Sequence, residues 1–161
     1  MVRTWALKGM TPILSSTGSW KNLSMSGIII CAASARHPRL FLRIFAGSMN
    51  ATDILRFLKE LKTDLNGRKL LLIWDGLPAH RAKIIRAYIA QEKKWLRVER
   101  FPAYAPELNP IEYLWSAMKR KDVSNHVPAG LENLRRTIHK SKRRLSDTKL
   151  LRGFLRASEL Y

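Results

Sequence analysis

The sequence predicts an α/β fold built on a mixed sheet flanked by helices, and three observations carry that expectation. Apolar strand-like runs alternate with helical periodicity through the middle of the chain, as β-α-β-α-β units with parallel pairing do. Two β-rich runs with only a turn between them precede this region, which adds an antiparallel pair. Hydrophobic residues make up 46% of 161 residues, enough to bury one core in a single domain or a large part of one.

Taken in order, "WKNLSMSGIIICAA" and "RLFLRIFAG" are the β-rich runs, and "SARHP" between them, with His37 and Pro38, reads as the turn. "NATDILRFLKELKTDLNG" then sets Ile54, Leu58, Leu61 and Leu65 at helical spacing. It opens on capping residues at Asn50 and Thr52 and closes on Asn66 and Gly67. "KLLLIWDG" is a continuous apolar strand stopping at Asp75 and Gly76, the pattern of a strand buried on both faces. A helix from Ala79 to Lys94 is expected to turn Ile84, Ile85, Tyr88 and Ile89 to one side, and "LRVERF" supplies a fourth strand. After a proline-rich loop, a helix begins at Asn109 or Pro110 and runs to Lys121. Two more are marked by Leu131, Leu134 and Ile138 and by Leu150, Leu151, Phe154 and Leu155. No internal repeat or low-complexity segment interrupts the chain.

Charge narrows the partners. The net charge is +18, from 30 Lys+Arg against 12 Asp+Glu, so the folded surface is strongly cationic and nucleic acid is the expected polyanion. The group Lys119, Arg120, Lys121, Arg135, Arg136, Lys140, Lys142, Arg143 and Arg144 is expected to hold duplex DNA without sequence preference, although each residue alone fits an ordinary solvated helix face. The longest apolar stretch, Gly27 to Ala33, is far short of the roughly 18 residues a membrane helix needs, and the N-terminus lacks a signal-peptide pattern. Cys31 is the sole cysteine and reads as a buried structural thiol. A cytoplasmic protein associated with the nucleoid fits these features.

In so basic a chain each carboxylate invites an explanation. Asp75 ends a central strand, where open α/β sheets place ligand sites, and Glu112 falls in the first turn of a helix after a loop stiffened by prolines. Thirty-six residues separate them, room for a helix, a strand and a loop that return the helix start to the strand end. Two acidic oxygens on rigid elements suit Mg²⁺ or Mn²⁺, which take carboxylates and keep waters for phosphate and nucleophile. Plainer readings stand beside this one. Glu112 also fits the third position of a capping box, with Asn109 as N-cap and Pro110 as first helical residue. Asp75-Gly76 also fits a simple strand-ending turn. His80 suits a metal ligand, a base, a cap or a packed side chain; Trp74, Tyr113 and Trp115 suit the core; Glu107 suits a solvated loop.

Together "LLLIWDGLPAHRAK" and "FPAYAPELNPIEYLWSAMKR" resemble the second and third acidic motifs of DDE-type transposases, those of the mariner superfamily and related bacterial insertion sequences. The Leu-Asn-Pro-Ile-Glu run at 108–112, with Trp115 and the Lys119-Arg120 pair after it, is the most specific part. "RTWALKGMTP" and "KNLSMSGIII" look like the segment after the family's first acidic strand and its second strand. The resemblance weakens beyond residue 125.

The resemblance implies a ribonuclease H-like (retroviral integrase-like) fold with the first strand missing. Asp75 and Glu112 would be the second and third members of the acidic triad and ligands of Mg²⁺ or Mn²⁺, supported by His80, Asn109 and Pro110. Arg81, Lys83, Lys119, Arg120, Lys121, Arg135 and Arg136 would contact DNA. Gly76 stands where many relatives carry Asn. No Asp or Glu precedes Asp53 to serve as the first acid, and the recognition domain that usually precedes the catalytic one is also absent.

Residues 1–125 are therefore expected to be part of a DDE endonuclease catalytic domain for DNA cleavage and strand transfer, inactive alone, with 126–161 as basic helices packed on or extending it. The chain would be a decayed remnant or one frame of a longer element. Its partners would be transposon ends and target DNA, an upstream-encoded N-terminal segment or a second copy, and no membrane. A non-enzymatic DNA-binding protein is the alternative, and a structural or oligomerisation role a third.

Overall fold

A computed structural model describes residues 22–32, 37–102, 105–123 and 130–159. Strands β1 (Leu23–Ile30) and β2 (Arg39–Ala46) pair antiparallel, Leu23 opposite Ala46, as their adjacency in sequence leads one to expect. Strands β3 (Leu70–Trp74) and β4 (Leu96–Arg100) pair parallel, Leu70 opposite Leu96. Among the described residues the two pairs remain separate sheets: β1 bonds only β2, and β3 only β4. The segment around Trp5 and most of the turn before His37 lie outside the described residues.

Helix α1 (Ala51–Asp64) links the pairs and starts and stops where its sequence dictates. Asn50 Oδ1 accepts the N–H groups of Thr52 and Asp53, and the Asp53 carboxylate accepts the Asn50 N–H in return, a full capping box. At the other end Asn66 and Gly67 adopt φ of +51° and +69°, and their N–H groups bond the carbonyls of Thr63 and Lys62 in a Schellman closure. Asn50→Ala is expected to cost about 1 kcal/mol, since it strips both first-turn donors of their acceptor. Chemical denaturation checks this, and an unchanged midpoint would count against it.

Helix α2 (Lys83–Gln91) is shorter than the expected 79–94 span. Pro78–Arg81 form a tight 3₁₀ turn, and Ala82 is extended at ψ 145°, which resets the helical phase. Ile85 and Tyr88 consequently turn inward while Ile84 remains 44% exposed, contrary to its expected place on the inner side. The remaining helices are α3 (Pro110–Met118), closed by a π-helical turn over Lys119–Val123, α4 (Leu131–Leu145) and α5 (Thr148–Ala157).

Strand β2 is the common wall of two cores. Phe41 and Phe45 pack with Ile54, Phe57, Leu58 and Leu61 of α1, and the same cluster continues to Leu72, Ile85 and Leu96. On its other face Leu40 and Leu42 meet Leu114, Met118, Ile138, Leu145 and Leu151 of α3, α4 and α5. Burial on both faces, expected of β3, thus belongs to β2. In β3 only Leu72 is buried, and Leu71 and Ile73 are 54% and 39% exposed, because the α3–α5 layer packs over β1 and β2. Cys31 is likewise exposed at the end of β1 rather than buried, although partial burial of its sulfur pushes the thiol pKa up.

Candidate functional site

Asp75 directly follows β3 and is fixed by its neighbours. Its Oδ1 accepts the Leu77 N–H at 3.2 Å, the turn that ends the strand, and lies 3.0 Å from His80 Nδ1. The same ring nitrogen lies 3.2 Å from the Asp75 carbonyl oxygen. Both oxygens are acceptors, so Nδ1 carries the proton and the other ring nitrogen is left for a further partner. The imidazole stacks on Trp74, centroids 4.1 Å apart and planes within 3°, and its side chain is only 13% exposed. His80 is therefore a packed residue that also holds Asp75, whose own side chain stays 44% exposed.

Glu112 occupies the first turn of α3. Asn109 is the N-cap, its Oδ1 accepting the Ile111 N–H at 3.3 Å, and Pro110 takes the first helical position. The reciprocal half of a capping box does not form, because the Asn109 N–H is donated to the Pro106 carbonyl at 3.0 Å. The Glu112 side chain is exposed instead. Trp115, one turn on, seats α3 against β1: a Cβ at Gly27 would lie 3.1 Å from the indole ring and 3.5 Å from the Ile111 side chain. The bare backbone at Gly27 is what lets the helix, and with it Glu112, come this close. Tyr113 turns outward to donate to the Ala157 carbonyl at 2.8 Å, tying α3 to α5, and Glu107 is exposed in its loop.

Asp75 and Glu112 line one cavity of about 420 Å³, together with His80, Asn109 and Pro110. Strand end and helix start, thirty-six residues apart in sequence, thus open onto the same space. All 12 Asp and Glu residues of the chain fall within the described segments. Among the described residues no three His, Cys, Asp or Glu side chains gather into a metal cage.

The cations divide into exposed and structural sets. Arg81 and Lys83 are exposed just beyond His80, and Lys119, Arg120 and Lys121 are exposed in the π turn after α3. Lys119 lies seven residues past Glu112, about 10 Å along the axis at about 1.5 Å per residue. Arg135 and Arg136 are exposed on α4, the latter 3.6 Å from Glu132. Two members of the basic group serve the fold instead. Arg144 pairs with Asp122 at 2.6 Å, and Lys142 reaches the Leu42 carbonyl at 3.5 Å, where burial, then the nearby Arg43, pushes its pKa down. No helix among the described residues is long and apolar enough to cross a membrane.

The Trp74–His80 stack and the bonds from His80 to Asp75 are not evident from the sequence. The only signal is a histidine five residues after the strand-ending Asp, which a tight 3₁₀ turn folds back.

A sequence-family profile described as DDE superfamily endonuclease matches residues 2–135. Among solved structures, the fold superposes on a Mos1 transposase catalytic domain with raltegravir and Mg at TM-score 0.60 and 14% identity, over 85% of this chain and 78% of that one. A second, the catalytic domain of the Mos1 mariner transposase, gives 0.57 and 13%, over 85% and 74%. At such identity the likeness concerns the fold, which is ribonuclease H-like. No curated protein sequence matches the chain.

Proposed function

The chain belongs to the DDE superfamily endonuclease family, and from that premise we propose that it is a transposase catalytic-domain segment for metal-dependent cleavage and joining of DNA. The observation that carries the proposal is the opening of Asp75 and Glu112 onto one cavity from two rigid elements. Their donor set fits Mg²⁺ or Mn²⁺: two exposed carboxylates suit an octahedral, oxygen-loving ion that keeps several waters and takes the rest of its shell from phosphate. When bound, such ions neutralise charge on the attacking and leaving oxygens of the phosphodiester.

The chain's own residues do the rest. His80, wedged on Trp74, holds the Asp75 carboxylate in one orientation, as an outer partner does for a metal ligand. Asn109 and Pro110 fix the helix start, so that Glu112 projects into the cavity rather than onto its own backbone. Arg81, Lys83, Lys119, Arg120, Lys121, Arg135 and Arg136 bind the DNA backbone. We assign residues 1–125 to the catalytic unit and 126–161 to basic helices that extend it, in a cytoplasmic protein that meets its DNA at the nucleoid.

With only two acids at the site the chain alone binds DNA without cutting it. The alternative role as a non-enzymatic DNA-binding protein is favoured by the same lack of a third ligand among the described residues. Both readings require phosphate contacts. Binding of the chain to a duplex is expected to weaken steeply with salt. Lys119→Ala, Lys121→Ala and Arg135→Ala are each expected to flatten the slope of log K against log salt by about 0.9 for every phosphate no longer neutralised. Fluorescence anisotropy across a salt series measures this, and a flat salt response would remove the DNA interface. Mn²⁺ titration then separates the readings: loss of bound Mn²⁺ in Asp75→Ala supports the metal site, and no Mn²⁺ binding by the parent chain in the presence of DNA speaks for the alternative.

A further inference from the structure

Helix α5 has two faces, and the fold accounts for one of them. Leu151 and Leu155 are buried, and Leu150 and Phe154 pack against the cluster that holds Leu40, Leu42 and Leu114. The opposite side carries Lys149, Arg152, Gly153 and Arg156, all exposed, at the i, i+3, i+4, i+7 spacing of a single helical stripe. No acid lies within the helix: Asp147 is its N-cap, bonded to the Leu150 N–H at 2.9 Å, and Glu159 follows its end. Gly153 is the odd member of the stripe. In an exposed helix interior glycine destabilises relative to alanine, and a Cβ here would meet nothing within 4 Å, so no contact among the described residues calls for its bare backbone. The stripe ends beside the candidate metal site. Tyr113, next to Glu112, donates to the Ala157 carbonyl, and Leu155 lines the cavity that Asp75 and Glu112 share.

We propose that this face of α5 is a further DNA contact, in which Lys149, Arg152 and Arg156 neutralise phosphates and the duplex backbone comes closest at Gly153. The inference rests on the reading of the chain as DNA-binding and adds a surface that the basic group from Lys119 to Arg144 does not include. From Lys149 to Arg156 the stripe rises about 10 Å, at about 1.5 Å per residue, and one duplex strand carries a phosphate about every 3.4 Å along its axis, so three cations match about three phosphates. A bare backbone in the middle of a positive stripe lets phosphates and sugars approach the helix without displacing a side chain. A membrane surface is the poorer occupant, because the apolar residues that an interfacial helix would sink into lipid are already buried in the core.

Fluorescence anisotropy of the full chain with a short duplex, over a salt series, is the test. Lys149→Gln and Arg156→Gln are each expected to flatten the slope of log K against log salt by about 0.9. Gly153→Gln leaves the charge unchanged and replaces a poor helix former with a better one, so it is expected to melt no lower than the parent chain and yet to bind the duplex at least about fivefold more weakly. Unchanged affinity in Gly153→Gln, or unchanged slopes in both cation variants, would overturn the proposal. If Lys119→Ala and Arg135→Ala still flatten the slope in that case, DNA binding stands without α5. A parent chain that binds no duplex would sink both readings. Normal DNA binding by the α5 variants, with loss of binding to phosphatidylserine vesicles, would give the face to a lipid surface instead.

Discussion

Mixed with Mn²⁺ and duplex DNA bearing an element's ends, the 161-residue chain is expected to leave both strands intact. Phosphoryl transfer of this kind needs charge neutralised on the attacking and leaving oxygens at once, by ions held in fixed positions. Asp75 and Glu112 line one cavity from two elements, and among the described residues no three His, Cys, Asp or Glu side chains gather there or elsewhere. With upstream sequence that carries a further acid joined to the chain, metal-dependent nicking is expected to appear. Asp75→Ala or Glu112→Ala should then lower it by at least about 10²–10³-fold, the loss typical when one charge-stabilising group leaves such a site. A gel assay for nicked product reads both outcomes. Metal-dependent nicking by the chain alone, lost on Asp75→Ala, would show that some other group completes the site.

The largest effect on stability is expected at Leu114. Its side chain is fully buried where α3 meets Leu40 and Leu42 of β2 and the helices α4 and α5. Truncation to alanine removes apolar area and leaves a cavity that four packed elements cannot collapse around, at a cost of about 2–5 kcal/mol. That is a large share of the roughly 5–15 kcal/mol that holds a typical domain together. Denaturant titration of Leu114→Ala is expected to show the loss, and a change below about 1 kcal/mol would mean that the C-terminal helices are not firmly docked on this sheet.

What could be read from the sequence was local. Asn50 and Gly67 bracket α1 as their capping chemistry requires, and Asn109-Pro110 starts α3. The strands lie where their apolar runs lie, and the acids stand at a strand end and a helix start. What could not be read was which face of each element meets which layer. "KLLLIWDG" and "RLFLRIFAG" are both strongly apolar, yet only the second is enclosed on both sides, because that depends on where α3, α4 and α5 dock. Ile84 and Ile85 are chemically alike, and the extended Ala82 between two turns decides which is inward. Cys31 sits in an apolar run and is nevertheless exposed, one residue past the end of β1. Glu112 fitted a capping box equally well until the Pro106 carbonyl took the amide it would have bonded.

The two-faced burial of β2 also governs how the molecule comes apart. Phe41 and Phe45 belong to one cluster and Leu40 and Leu42 to the other, on alternate residues of a single strand. Neither cluster can lose this strand without stripping the other, so the helices on opposite sides share one melting event despite touching few of the same residues. A calorimetric scan is expected to show a single endotherm whose van't Hoff and calorimetric enthalpies agree, and two resolved peaks would mean that the halves unfold independently.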